Sequence, residues 1–368
     1  MVHHAHTTAT SEADAIAELA ERLDTNRASA VLLFCSPRYD LERLGREIAA
    51  RIKSPVAACT TSGQLGTQGY VSGGITAVSL RSPELRMDPH LIAPLVQCQA
   101  RASDAAFAAM SGLVERGGSK AFGLVLVDGL SRVEERLAAT LYQTLGNIPL
   151  FGGSAGDDLA FRSTRVYFDG QFRSDAAVLH LFETTLPFRT FKVQHAAPTR
   201  HKLVVTLADP ERRIVREFNG EPAAEAYAEA LGVEVSELDS LLFSKNPVML
   251  QSGGDYYVRS VKGVDADGSL GFFCALDEGL VLTLGQTSDP LAALKSAFER
   301  VREHISAPEV VIACDCILRR LEFEHAGTAE AVGDWLAKNR VVGFNTYGEQ
   351  YNSIYVNQTL SAVALSGE

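Results

Sequence analysis

The sequence predicts an α/β protein built from repeated β-α-β units that form mixed sheets, with a β-rich segment in its C-terminal half. Three observations predict it. The chain of 368 residues is 46% hydrophobic and 21% charged, a globular composition with enough apolar material for more than one core. Apolar runs of strand length alternate with amphipathic stretches of helical period. The same order of strand, helix, strand, polar turn and returning strand then occurs twice, followed by a looser third copy.

Residues 1–29 read as a leader carrying an N-terminal helix, and the cluster His3, His4 and His6 as part of a mobile tail. Val31 to Ser36 reads as a buried strand, and Asp40 to Lys53 as a helix with Leu41, Leu44, Ile48 and Ile52 on one face. Pro55 to Cys59 is the next strand. It runs into Thr60-Thr61-Ser62-Gly63, and Gly74 to Leu80 returns. Gly123 to Gly129 opens the second copy, followed by a helix with Val133, Leu137, Leu141 and Leu145, the strand Ile148 to Phe151, the turn GGSAGDD and the returning strand Ala176 to Phe182. Gly63 and Gly156 lie 93 residues apart, as do Leu44 and Leu137, which implies an internal duplication. The third copy runs through Val310 to Cys316, a helical stretch interrupted near Gly327, the strand Val341 to Phe344, the turn NTYGEQ and the strand Val356 to Leu365. Between the second and third copies, Phe188 to Leu284 carries short β-rich runs, a helix over Ala223 to Leu231 stopped by Gly232, and turns such as Asp267-Gly268. The expected organisation is the leader, a domain over 30–187 and a second domain over 188–368.

Charge and cysteine content exclude several function classes. A formal net charge of −11 without a dense Lys/Arg run argues against nucleic acid or an anionic membrane surface as partner. No apolar stretch approaches the ~20 residues that span a bilayer, and the first residues lack a signal-peptide core. The expected location is the cytoplasm. Six cysteines spread over apolar runs suit reduced thiols there.

In sheets of this kind ligands bind outside the carboxyl ends of the parallel strands. Those ends carry Ser62 and Gly63, then Gly156, Asp157 and Asp158, then Asn345, Tyr347 and Glu349. Any one of these loops reads equally well as an ordinary tight turn. Their recurrence at equivalent positions favours a ligand site, in which the carboxylates favour a cationic group such as the ammonium of an amino acid. The segment Gly152-Gly153-Ser154-Ala155-Gly156 also matches the G-x-S-x-G nucleophile elbow, which would make Ser154 the nucleophile of a hydrolase. The elbow requires a helix directly after the serine, and this sequence leads into a strand instead.

The runs VLLFCSPRYDLERLGREIAARIKSPVAACTTSGQLGTQGYVSGGITAVSL and IPLFGGSAGDDLAFRSTRVYFDGQFRSDAAVLHLF resemble the N-terminal FIST domain. LVVTLADPERRIVREFNGEPAAEAYAEALG and CDCILRRLE…VVGFNTYGEQYNSIYVNQT resemble the C-terminal FIST domain. The resemblance implies a sensory module for small ligands in bacterial signal transduction rather than an enzyme. The phrases QHAAPTRHKLVVT, YYVRSVKG, FFCALDEGLVL, CDCILRRLE and GFNTYGEQYN, taken together, further resemble the nitric-oxide-sensing haem proteins of this family. That implies haem b as cofactor and a separate sensor histidine kinase as partner, consistent with no output domain after Leu365. A homo-oligomer is compatible with this reading.

Haem sensing demands an axial ligand, usually a neutral imidazole, in an apolar slot. Among nine histidines, His304 and His325 read as solvated and His180 as a satisfied core residue. His195 has the small neighbours Ala196 and Ala197, with Pro198 stiffening the exit, and is the first choice for iron, although it reads more simply as a strand-end histidine hydrogen-bonded locally. His201 is second. Cys316 offers a thiolate alternative, although Cys314 and Cys316 share one strand face and read more simply as buried thiols. Arg319 can hold a propionate. No second cysteine pair completes a structural zinc site.

Overall fold

A computed structural model describes residues 1–118 and 120–367. It is a mixed α/β protein whose contacts divide it into two compact units. Unit 1 comprises 1–192, 295–355 and 360–368; unit 2 comprises 193–294 and 356–359. The C-terminal half is therefore not a contiguous domain beginning at 188, because its last strands complete unit 1.

Unit 1 is a triplicated fold. The first repeat contains β1 (Val2–Thr7), α1 (Glu12–Arg22), β2 (Ala30–Cys35), α2 (Leu41–Arg51), β3 (Val56–Thr60), β4 (Gln64–Gly66), β5 (Gly69–Val71) and β6 (Ile75–Leu80). The second contains β7 (Leu85–Ile92), α3 (Cys98–Glu115), β8 (Ala121–Val127), α4 (Glu134–Leu145), β9 (Leu150–Ser154), β10 (Val166–Phe168), β11 (Gln171–Arg173) and β12 (Ala177–Thr184). The third opens with β13 (Phe188–Val193), after which the chain enters unit 2.

Unit 2 is an eight-stranded antiparallel sheet. It is formed by β14 (Ala196–Asp209), β15 (Ile214–Phe218), β16 (Glu221–Pro222), β17 (Val248–Ser252), β18 (Asp255–Arg259), β19 (Val261–Val264), β20 (Leu270–Phe272) and β21 (Val281–Thr287). Helices α5 (Ala223–Leu231) and α6 (Ser240–Lys245) bury Tyr227 and Phe243 against Leu203, Val215, Phe218 and Leu282. Gly232 ends α5 in the left-handed conformation, where a residue without Cβ meets no steric penalty.

The third repeat resumes with α7 (Pro290–Arg302), β22 (Pro308–Cys316), α8 (Ile317–His325), α9 (Ala329–Lys338), β23 (Val341–Thr346), β24 (Glu349–Tyr351), β25 (Ile354–Val356) and β26 (Leu360–Ser366). The break near Gly327 is real: it separates α8 from α9.

Each repeat builds one sheet and lends a hairpin to another. The sheet orders are β1-β6-β2-β3-β10-β11, β7-β12-β8-β9-β24-β25 and β13-β26-β22-β23-β4-β5. In every one an edge strand, the returning strand and two parallel strands come from the same repeat, and the final hairpin comes from a different one. The first repeat gives its hairpin to the third, the third to the second, and the second to the first. Strands β2 and β8 read as unbroken apolar runs because both faces are covered. One face meets the helices; the other faces a shared core containing Phe34, Phe122, Phe151 and Phe344, with Phe34 stacked on Phe344 at 4.7 Å.

The leader of the sequence reading belongs to this scheme. Residues Val2 to Thr7 pair antiparallel with β6 in full register from Val2–Leu80 to Thr7–Ile75, so His3, His4 and His6 sit on an edge strand rather than a tail. Three histidines in six residues, two of them adjacent, give this strand the composition of a polar terminus.

Candidate functional site

The carboxyl ends of the second parallel strands meet where the hairpins cross over. Thr60, Ser154 and Asn345 occupy equivalent positions there. The amide of Asn345 donates to Gly63 O (2.8 Å), that of Ser154 to Gly348 O (2.8 Å) and that of Thr60 to Arg165 O (3.0 Å). Their own carbonyls accept from the amides of Ser62 (3.1 Å), Tyr347 (3.1 Å) and Gly156 (3.0 Å). The three loops thus form a closed backbone ring, so the glycine-bearing loops that recur in the sequence do come together in space.

Glycine is required at this junction for space. Gly63 has φ +130°, and a Cβ there would lie 2.3 Å from Arg320 Nη1 and 2.8 Å from Asn345 Oδ1. At Gly156 a Cβ would meet Ser62 Oγ at 2.3 Å.

Most of the expected polar contacts are spent inside the ring. Asp157 accepts from the amides of Phe161 (2.9 Å), Arg162 (2.6 Å) and Ser163 (2.8 Å) and from the Tyr347 hydroxyl. Burial, followed by that hydrogen bond, pushes the Tyr347 phenol up to about 12. Glu349 accepts from Thr346 Oγ1, and Asn345 Oδ1 from Arg320 (3.1 Å). Arg320 is held further by Val71 O, Ser72 Oγ and Glu324. Ser154 is fully buried in β9, and its hydroxyl accepts from Gln350 Nε2 at 3.2 Å. It stands on a strand that leads into the Asp157 turn and then β10, without the strand-to-helix elbow that exposes a nucleophile.

What remains at the surface is the rim. The segment from Asp157 to Ser163 is unusual in holding three non-glycine residues at positive φ: Asp158 (53°), Leu159 (65°) and Phe161 (51°). Such conformations cost on the order of 1 kcal/mol each and persist only when surrounding contacts fix them. Here the Asp157 carboxylate is the fixing group. The held loop exposes Leu159 and lays Phe161, 51% exposed, flat on the Tyr347 ring at 4.6 Å and 14°. Beside it Asp158 accepts from Ser36 Oγ (3.1 Å). Desolvation raises its carboxyl above the ordinary range, while the Ser36 hydrogen bond and the charge of Arg38 oppose that shift. Arg38 is exposed. Ser36, Arg38 and Phe161 were not singled out from sequence. Ser36 and Arg38 follow the first parallel strand, and the rule that ligands gather at strand carboxyl ends applies to them equally.

The residues assigned to haem fall in both units. In unit 2, His195 is 3% exposed and its carbonyl is taken by the amide and hydroxyl of Ser288. His201 is exposed on an open groove lined by Thr199, Arg200, Gln286, Thr287 and Ser288, with only Ala197 and Pro198 apolar. In unit 1, Cys316 is buried at the start of α8, and Arg319 is fully buried with Nε on Asp315 Oδ1 at 2.8 Å. A porphyrin needs an accessible axial donor and apolar walls on both faces. His195 is enclosed, His201 stands among polar side chains, and Arg319 is committed to Asp315. These residues do not fit the group. His180 departs from its expected role too. It is fully buried, but neither ring nitrogen has a hydrogen-bond partner.

No helix among the described residues is long and apolar enough to cross a membrane. The family model described as FIST N domain matches residues 29–221, and that described as FIST C domain matches 223–352. None of the curated proteins matches the chain.

Proposed function

The chain belongs to the FIST family, whose domains are associated with small-ligand sensing in signal transduction, and from that premise we propose that it binds a small zwitterion such as an amino acid at the rim of the three-loop ring. The observation that carries the reading is the strained loop from Asp157 to Ser163. A protein maintains three left-handed non-glycine residues where the conformation is used. This loop sets a carboxylate, Asp158, near a guanidinium, Arg38, beside the Phe161–Tyr347 stack. Asp158 takes the ammonium of the ligand, Arg38 its carboxylate, and the aromatic pair its aliphatic portion. Asp157 acts as the positioning group of the loop rather than as a direct contact. Binding is signalled by the loop itself, whose Tyr347–Asp157 bond links the rim to the backbone ring beneath.

The test is calorimetric titration of the protein with a panel of free amino acids. One or more should bind, and Asp158→Ala and Arg38→Ala should each weaken binding by about tenfold or more. Haem-based nitric oxide sensing coupled to a histidine kinase, implied by the narrower resemblance, makes a different demand. Protein produced with ample haem would then show a Soret band that His195→Ala abolishes.

A further inference from the structure

We propose that unit 1 self-associates through the outer face of α3, forming an antiparallel two-fold pair with α3 of a second copy. Helices α1, α3 and α7 hold equivalent places, each following the edge strand of its repeat. Neither α1 nor α7 exposes a large apolar side chain, whereas α3 exposes Phe107 (70%) and Val114 (68%), and Val96 in the preceding turn is 85% exposed. Ala102, Ala105, Ala106, Ala109 and Leu113 already supply the face of α3 that packs on its own unit. Ala100, Ser103, Phe107, Met110 and Val114, all exposed or half-buried, follow the alternating three- and four-residue spacing of a coiled-coil seam. Ser103 is the one polar member, and it is small. Its hydroxyl can bond a carbonyl of the preceding turn of its own helix, so a serine at this position does not oppose packing. Met110 at the edge of the seam also packs against the core of its own unit, whereas Phe107 and Val114 stand exposed as an apolar stripe.

The flanking charges select the occupant. In an antiparallel pair the same flank of each helix meets its copy, and two registers bring the seam residues into facing layers. In the register centred near Ala105, Asp104 would face Asp104 of the second copy, which repulsion disfavours. In the register centred between Ala108 and Ala109, Asp104 faces Ser111 and Arg101 faces Glu115 of the second copy, twice by symmetry. Phe107 then packs on Met110, and Val114 on Ser103. The seam is thus complementary to itself in charge, as a two-fold interface must be. An 18-residue helix is ~27 Å long, so the contact is modest and a dimer with Kd on the order of micromolar is expected.

Sedimentation velocity on the full chain from about 1 to 200 μM tests this, a range chosen to bracket that expected affinity. The chain should pass from monomer to dimer. Phe107→Glu should weaken association by about 100-fold or more. Arg101→Glu or Glu115→Arg alone should weaken it several-fold, and the double exchange Arg101→Glu/Glu115→Arg should restore it. Circular dichroism confirms folding of each variant, since these side chains are exposed. A wild-type chain that stays monomeric overturns the proposal. So does a folded Phe107→Glu variant that still dimerises, or a double exchange no better than the single variants.

Discussion

Replacing His180 by leucine should stabilise the protein and remove part of its sensitivity to acid. Across the three repeats, strand pairing sets Val78 opposite Leu32, His180 opposite Leu124 and Val363 opposite Ile312. The same place in the repeat thus holds valine twice and histidine once. The ring is fully buried with both nitrogens unpartnered, and each lost hydrogen bond to water costs on the order of 1–3 kcal/mol. Leucine fills a similar volume without that cost, so the variant should gain about 1–3 kcal/mol at pH 7.5 after allowing for imperfect repacking. Burial depresses the imidazole from 6.5 to about 3. The folded state therefore holds the ring neutral while the unfolded state takes up a proton below 6.5. Stability is complete above that value and is lost as pH falls towards 3, by roughly 2 kcal/mol between pH 6.5 and 5. Urea denaturation at pH 7.5 and pH 5 measures both effects. The variant's gain should be larger at pH 5 by about that amount. A loss of more than about 1 kcal/mol at pH 7.5, with an unchanged pH dependence, would refute the reasoning and show that the ring has a partner in the folded protein.

Two further outcomes follow from the buried carboxylates. Asp157→Ala removes the acceptor of three backbone amides and of the Tyr347 hydroxyl. It should cost about 2–4 kcal/mol and speed tryptic cleavage after Arg162, read by thermal melting and limited proteolysis. Asp315 binds both Arg319 and the Tyr70 hydroxyl (2.7 Å), so Asp315→Ala removes the carboxylate bonded to a fully buried guanidinium. It should cost about 3–5 kcal/mol in chemical denaturation, much of it recovered in Asp315→Ala/Arg319→Met.

The repeats were legible in the sequence because their signals are local. Strands such as Ala30–Cys35 and Ala121–Val127 are continuous apolar runs, α2 begins at an Asp40 side chain that accepts from the amides of Glu42 and Arg43, and Gly232 stops α5. The exchange of hairpins was not legible. Gln64 and Leu65 pair with Phe344 and Gly343, and no periodicity within a segment of three residues encodes a partner so distant in sequence. The candidate site divides in the same way. Recurring glycines and hydroxyls marked the junction, but whether a carboxylate is spent or available depends on folded geometry. Asp157 and Asp158 are adjacent and chemically identical, yet one accepts four hydrogen bonds within the ring and the other faces the rim. The misplacement of the leader has a third cause: an edge strand with histidines at three of its six positions has the composition of a solvated tail.

Sensing of a small zwitterion at the rim is tested most directly by calorimetric titration of the wild-type chain and of Asp158→Ala with the amino-acid panel. Saturable binding by the wild type is expected, with a loss of about tenfold or more in the variant at unchanged thermal stability. Absence of binding by any member of the panel, or binding that Asp158→Ala leaves intact, would contradict it.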